Sequence, residues 1–301
     1  MLNISKYAAI DIGSNAIRLL VANVIEQENG PTLFRKNALV RVPIRLGEDV
    51  FINGEISLKN QRRMEDAMKA FRLLMNAHEV KQYRACATSA MRDAKNGDAF
   101  AKKIKETTDI NIEIIDGEEE AQIIAATDLQ SFIKEDRTYI YVDVGGGSTE
   151  ITIYHMGEVV ASKSFKIGTV RLLNDLVSSE DWDVFKNWIH QHCKDFSHID
   201  LIGSGGNINK VFKLSTKKPG KTLSYLFLSQ LYKDLSAMSY EQRVIDLQLN
   251  PDRADVIIPA LRIYLQAMKS SKAKQIIVPK IGLADGIIKS LYLSKINIDI
   301  I

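Results

Sequence analysis

The sequence predicts an α/β protein built from two related domains, and two features carry that expectation. Short apolar runs alternate along the chain with stretches whose apolar residues recur at helical spacing, the arrangement that lays helices onto sheets. The second feature is an internal echo. The pattern strand, acid, glycine turn, strand in Tyr7–Val24 returns 132 residues later, so that Asp11 falls on Asp143, Gly13 on Gly145 and Asn15 on Gly147, with Ile17, Leu19 and Val21 on Thr149, Ile151 and Ile153. Similarity at so long a period indicates duplicated domains, not a solenoid. The division expected is 1–133 and 134–301, with a boundary near Phe132–Arg137 and a last helix, about 282–294, able to pack back on the first domain.

In the first domain, Tyr7–Val24 reads as two strands around Gly13-Ser14-Asn15, followed by a third strand region from about Thr32 to Ile44. Ser57 suits the N-cap of a helix through Ala77, because Met64, Ala67, Met68, Phe71, Leu74 and Met75 lie near 3.6-residue spacing. Tyr83–Thr88 is a short buried-strand candidate leading into Ser89-Ala-Met-Arg92. A helix over about Asn96–Thr107 precedes the strand Ile112–Ile115, and Gly117 then breaks that strand and opens a helix on Glu118-Glu119-Glu120.

In the second domain, the strand Tyr139–Val142 ends on Asp143, three glycines follow, and a second strand runs to about Tyr154. A strand over Val159–Phe165 leads into Lys166–Arg171 and two helical segments to about Phe196. Ile199–Ile202 is a strand, and Gly203-Ser-Gly-Gly-Asn-Ile-Asn209 a strand-to-helix glycine turn. The basic loop Ser215–Lys221, with Pro219-Gly220, is the segment expected to move most and reads first as solvated surface. Helices dominate from Ser229 to Ser270, interrupted near Asn250-Pro251, before a strand Gln275–Val278 and a closing helix from Gly282 to about Leu293.

Composition narrows the function classes. Forty Lys and Arg against 37 acids give a formal +3, too even for a nucleic-acid binder, so an anionic substrate must be met by local charge. Cys86 and Cys193 show no metal-ligand or disulfide spacing. The opening residues lack the apolar segment of a signal peptide, and no apolar run is long enough to span a bilayer, so a cytoplasmic setting without membrane partners is expected.

Four stretches converge on phosphate. Three glycines in a row let a ligand approach the main chain and meet several N–H groups, and an acid beside them can hold a cation or a water. Asp143 to Glu150 is the fullest such stretch, and Asp11-Ile-Gly-Ser-Asn15 repeats it. Gly203-Ser-Gly-Gly206 places a helix N-terminus where an anion or nucleoside could bind. Glu118-Glu-Glu120 reads either as first-turn acids stabilising a helix dipole or as the place of a general base.

Taken together, Asp11-Ile-Gly-Ser-Asn15 with Arg18, Ala87-Thr-Ser-Ala-Met-Arg92, Gly117-Glu-Glu-Glu-Ala121 and Asp143-Val-Gly-Gly-Gly-Ser-Thr-Glu150 resemble the exopolyphosphatase/guanosine-pentaphosphate phosphatase family. The likeness continues through Gly168-Thr-Val-Arg171, Gly203-Ser-Gly-Gly206, Arg253-Ala-Asp-Val256 and Gly282-Leu-Ala-Asp-Gly286, and so covers nearly the whole chain in order. It implies two ribonuclease-H-like domains of the actin, sugar-kinase and chaperone-ATPase superfamily, with the active site in the cleft between them. It places the general base at Glu120, and Mg²⁺ or another divalent cation with the attacking water at Asp143 and Glu150, with Asp11 on the same metal side. Phosphate contacts are implied for Arg92, for Gly145, Gly146, Gly147 and Ser148, and for Gly13, Ser14 and Asn15, with Arg18 a further candidate. Gly203, Gly205, Gly206 and Asn207 are candidates for a nucleoside or second site. A homodimer is implied by the resemblance alone.

Two departures from the family pattern matter. Gly282-Leu-Ala-Asp-Gly286 stands where the family commonly has Gly-Leu-Arg-Glu-Gly, which removes one positive charge. The sequence also ends without the helical C-terminal extension of longer members, which puts processivity on long polymers in question. The reaction expected is in-line attack of water on the terminal phosphoryl group of polyphosphate or guanosine pentaphosphate. The alternatives are a small-molecule kinase of the same superfamily, using Gly203 to Asn207 for ATP, and a non-catalytic binder of polyphosphate or guanosine tetraphosphate.

Overall fold

The computed structural model describes residues 3–125, 127, 132–134 and 136–298. Two compact units emerge, Met1–Thr127 with Leu283–Ile301, and Asp128–Gly282. The boundary expected near Phe132–Arg137 falls partly outside the described residues.

The first unit opens with β1 (Asn3–Ile12), β2 (Ile17–Glu26) and β3 (Leu33–Val42), continues through α1 (Leu46–Asn53), α2 (Leu58–Ala77), β4 (Gln82–Ala87), α3 (Ser89–Asp93), α4 (Gly97–Thr108) and β5 (Ile112–Ile114), and reaches α5 (Gly117–Ala125). Its sheet has the order β3-β2-β1-β4-β5. The β1–β2 hairpin is antiparallel from Asn3↔Glu26 to Ile12↔Ile17, which sets Asp11 opposite Arg18. β1 is parallel to β4, with Asp11 beside Cys86. Tyr7–Ile12 is buried throughout, as a central strand covered on both faces must be. Ser57 caps α2 as its position predicts: its Oγ accepts from the Asn60 amide, and Met64, Ala67, Met68, Phe71 and Met75 turn inward.

The second unit runs through β6 (Thr138–Val144), β7 (Thr149–His155), β8 (Glu158–Phe165), α6 (Thr169–Leu173), α7 (Ser179–Cys193), β9 (Ile199–Ser204), α8 (Gly206–Leu214), β10 (Leu223–Ser224), α9 (Tyr225–Ala237), α10 (Tyr240–Ile245), α11 (Pro251–Ala254), α12 (Ile257–Ser271) and β11 (Gln275–Ile277). Its sheet has the order β10-β11-β9-β6-β7-β8. The β6–β7 hairpin pairs Asp143 with Glu150, and β9 lies parallel to β6 with Ser204 beside Asp143. The sequence echo is therefore a topological one: hairpin, third antiparallel strand, short helix, long helix, then a fourth strand parallel to the first. Each unit has its own core, one built around Ile10, Leu19 and Phe71, the other around Ile140, Leu201 and Phe185.

The last helix, α13 (Leu283–Ile298), packs on α5, β1, β2 and β4 of the first unit. Three elements depart from the sequence expectation. α1 was not foreseen, because it is short and entered through Arg45 in the left-handed region at φ 63°. β10 has only two residues, too few for a period. α9 starts at Tyr225 and not at Ser229, since the Ser224 hydroxyl accepts from the Phe227 amide and caps it there.

Candidate active site

The two hairpin turns close in the same way: the Gly13 amide donates to the Ala16 carbonyl at 3.2 Å and the Gly145 amide to the Ser148 carbonyl at 3.0 Å. What orients them is the helix that follows the third strand. In the second unit the amides of Thr169 and Val170 donate to the carbonyls of Gly145 (3.0 Å) and Gly146 (2.8 Å), and Arg171 Nε donates to the Gly147 carbonyl at 2.9 Å. A trans peptide sets its N–H opposite its C=O. With three successive carbonyls tied toward α6, the amides of Gly146, Gly147 and Ser148 must point the other way. Among the described residues none of these three has a main-chain acceptor, so together they form a concave set of donors of the kind that can receive an anion. In the first unit the amides of Gly47 (2.8 Å) and Arg45 (3.1 Å) hold the Ser14 and Asn15 carbonyls, with the same effect on the amides of Asn15 and Ala16.

This arrangement requires glycine at position 168. A Cβ there would come within 2.5 Å of the carbonyl carbons of Gly146 and Gly147, which are main-chain atoms with no side-chain freedom to yield.

The acids beside the turns differ between the units. Arg18 Nη1 sits 3.2 Å from Asp11 Oδ2, so the first hairpin sets a carboxylate against a guanidinium. Burial pushes the Asp11 carboxyl above its ordinary value, and Arg18 opposes that rise. In the second hairpin, Asp143 and Glu150 are direct cross-strand partners on one face, and Glu150 is only 2% exposed. Its Oε1 accepts from Ser164 Oγ at 2.9 Å. Like charges directly opposite each other repel across a sheet, and a cation held between them reverses the sign. Among the described residues no cluster of three His, Cys, Asp or Glu could hold a metal. Two hard carboxylates fit Mg²⁺, which takes one or two protein carboxylates and completes its shell with water and phosphate oxygens. Asp143 and Glu150 therefore suit that ion, whereas Asp11 is engaged by Arg18.

The three acids of α5 are sorted by their surroundings. Asp116 caps the helix, its Oδ1 accepting from the amides of Glu118 (3.0 Å) and Glu119 (2.8 Å). Glu118 faces solvent. Glu119 pairs with Arg84 at 2.6 Å, and Arg84 also binds Glu113 at 2.8 Å. Only Glu120 is buried, at 8% exposure. Arg92 Nη1 donates to the Ile115 carbonyl at 2.7 Å, tying α3 to the entry of α5, and Ser89 at the start of α3 shares a buried 2.9 Å hydrogen bond with Ser14. Turn, α3 and the Glu120 helix are thus one connected piece of the first unit.

The third glycine turn lies against the second. Gly205 has φ 110°, a region L side chains avoid, and a Cβ there would stand 3.3 Å from Asp143 Oδ1. Gly203 is packed under Ile276 and Ile208, Asn207 lies half-buried in the first turn of α8, and Arg253 Nη1 donates to the Gly206 carbonyl. The Tyr264 hydroxyl donates to the Ser204 carbonyl. Burial, and after it the Asp143 carboxylate, pushes that hydroxyl well above its ordinary value, so it stays a donor.

A profile of the Ppx/GppA phosphatase family matches residues 24–295. The chain belongs to the Ppx/GppA phosphatase family. It is 33% identical over 274 residues to a bifunctional 3-dehydroquinate synthase/phosphatase of Fusobacterium nucleatum, covering 83% of this chain but only 41% of that protein. It is 26% identical over 317 residues to exopolyphosphatase 2 of Mycobacterium tuberculosis, covering 96% of this chain and 99% of that one. A guanosine-5'-triphosphate,3'-diphosphate pyrophosphatase of Photobacterium profundum is 26% identical over 298 residues, 94% of this chain and 58% of its own. Among solved structures, an exopolyphosphatase from Cytophaga hutchinsonii superposes with a TM-score of 0.82 at 24% identity over 96% and 98% of the two chains. The Aquifex aeolicus Ppx/GppA family member gives 0.77 at 24% identity over 97% and 99%. The two mixed sheets are the fold of this family.

Within this Ppx/GppA chain, the first unit gathers Gly13, Ser14, Asn15, Arg18, Asp11, Arg92 and Glu120. The second gathers Gly145, Gly146, Gly147, Ser148, Asp143, Glu150 and Gly205. Three groups escaped the sequence reading of the site, Arg84, Asp116 and Tyr264, while Gly168-Thr-Val-Arg171 entered it only as a motif of the resemblance with no role given. Asp116 alone had a local signal, an Asp directly ahead of a run of acids that opens a helix. No described helix is long and apolar enough to cross a membrane.

Proposed function

We propose that this chain hydrolyses a terminal phosphoanhydride with Mg²⁺, releasing orthophosphate from inorganic polyphosphate, from the 5'-phosphate of guanosine pentaphosphate, or from both. The observation that carries the proposal is the sorting of the α5 acids: one of three, Glu120, is withdrawn from solvent at a capped helix start, while its neighbours serve solvent and Arg84. In this reading Glu120 orients the attacking water and takes its proton. In the second unit the Gly146, Gly147 and Ser148 amides would bind phosphoryl oxygens, and in the first unit the Gly13-Ser14-Asn15 turn and Arg92 would supply further phosphate contacts. Asp143 and Glu150 would hold Mg²⁺, which when bound would supply positive charge to the phosphate oxygens. Phosphoryl transfer asks mostly for positioning and electrostatic stabilisation, which main-chain donors fixed by α1 and α6 can supply.

The test is a panel of short and long polyphosphates, guanosine pentaphosphate and ATP, each with and without Mg²⁺. Phosphate release without an acceptor, abolished by EDTA, is expected. ATP-dependent phosphorylation of a small alcohol with no release from polyphosphate would establish the kinase reading instead. Tight binding with no turnover would establish the binder.

A further inference from the structure

One face of the second unit is left unused by this chemistry. Residues 201–233 contain six lysines, and residues 256–282 four lysines and one arginine, with no Asp or Glu in either stretch. Against a chain-wide formal charge of +3, this acid-free fifth carries +11 and the remainder −8. Balanced composition thus conceals a marked local asymmetry.

The fold brings part of each stretch together at a sheet edge, with six of these eleven cations. β10 pairs with β11 through Leu223↔Ile276 and Ser224↔Gln275. The Tyr225 amide donates to the Lys274 carbonyl at 2.9 Å, and Thr222 Oγ1 to Gln275 Oε1 at 2.9 Å. The loop bearing Lys217, Lys218 and Lys221 therefore runs onto the edge beside β11, and Lys269, Lys272 and Lys274 rim an open hollow floored by Tyr225 and Met268. All six lysines are exposed, and none forms an ion pair among the described residues. The far end of β11 leads toward the acid pair, because the Ile281 carbonyl accepts from Ser204 Oγ at 2.8 Å and Ser204 is the strand neighbour of Asp143. From Lys274 to Lys280 an extended chain covers about 20 Å.

We propose that this face is an exosite for the distal part of a linear polyphosphate chain whose terminus occupies the glycine turn of the same unit, residues 145–148. Lysine ammonium groups are compact point charges that suit a flexible, repeating anion lacking any single geometry. A long polyanion spans both places at once and gains effective concentration at the site, whereas tripolyphosphate and guanosine pentaphosphate are too short to do so. The substrate rests on the phosphoanhydride reading above; the existence of the exosite does not.

The test compares the wild-type protein with K217Q/K218Q/K221Q/K272Q/K274Q, and with K102Q/K105Q as an exposed-lysine control on the first unit. Titration calorimetry with long-chain sodium polyphosphate, without Mg²⁺, should show affinity reduced about tenfold or more in the five-site variant, with a shallower salt dependence. The control should bind as the wild type does. KM for long polyphosphate should rise by a similar factor while turnover of tripolyphosphate stays unchanged. Unaltered calorimetric affinity overturns the exosite, as does an equal loss on tripolyphosphate. Equally tight binding of duplex DNA or anionic phosphatidylserine vesicles, lost in the same variant, overturns the assignment to polyphosphate. If the wild type turns over nothing, the proposed function fails while the calorimetry still decides the exosite.

Discussion

Replacing Gly168 with alanine should disable the second glycine turn without altering any atom that faces a substrate. The new Cβ would lie 2.5 Å from two carbonyl carbons, about 0.9 Å inside the 3.4 Å at which ordinary contact begins. Because the neighbours are main chain, relief must come from moving either the start of α6 or the turn. Overpacking of this kind costs roughly 1–3 kcal/mol. Stretching the Thr169 and Val170 amide bonds to the turn adds about 1 kcal/mol for each one lost. A displacement near 1 Å in groups that position a reacting phosphate costs on the order of 100-fold in rate. The assay is urea denaturation alongside kcat/KM for phosphate release. Gly157→Ala serves as control: its φ is 83° but nothing lies within 4 Å, so about 1–2 kcal/mol of backbone strain should appear with activity intact. Wild-type stability and kcat/KM in Gly168→Ala would refute the claim that α6 dictates where the turn amides point.

Three further outcomes are expected. Asp116→Ala should destabilise the fold by about 1 kcal/mol and lower kcat by loosening the start of the Glu120 helix, while Asp116→Asn, which keeps the cap, should largely restore both; urea midpoints and initial rates check this. Burial pushes the Cys86 and Cys193 thiols up to about 12, so at pH 8 both should react with a disulfide reagent only as the protein unfolds, and reaction at the rate of a free thiol would contradict their burial. Asp11 holds its proton more tightly folded than unfolded, so it favours the native state at low pH, and this contribution falls as pH rises from 3.8 through the raised native value. Urea midpoints measured with EDTA across that range should show the stability of the wild type declining relative to Asp11→Asn, and a rising difference would reverse the sign.

What the sequence disclosed was mostly local. The helix capped by Ser57 and the strand-acid-turn echo rest on periodicity and on residues within one hairpin, and both stand in the fold. The role of Arg18 was open between phosphate and solvent, yet counting outward from a turn closed by Gly13 and Ala16 already pairs position 11 with position 18. The same count pairs Asp143 with Glu150. Other features were beyond such reading. Gly203 and Gly205 look alike in sequence, but one lies beneath Ile276 and the other against Asp143. The hydrogen bonds from Gly47 to Ser14 and from Thr169 to Gly145 join segments that no short window contains. Nor could a run of three glutamates show which one burial would select, since that depends on Arg84 from another strand.

The most direct test of the central claim is phosphate release by Glu120→Gln, from whichever of polyphosphate and guanosine pentaphosphate the wild type hydrolyses. The substituted amide would keep the size and burial of the side chain but cannot accept the water's proton. A fall in kcat of about 10²–10⁴-fold is expected, with KM and urea midpoint close to wild type. Turnover at the wild-type rate by a folded Glu120→Gln protein would contradict it.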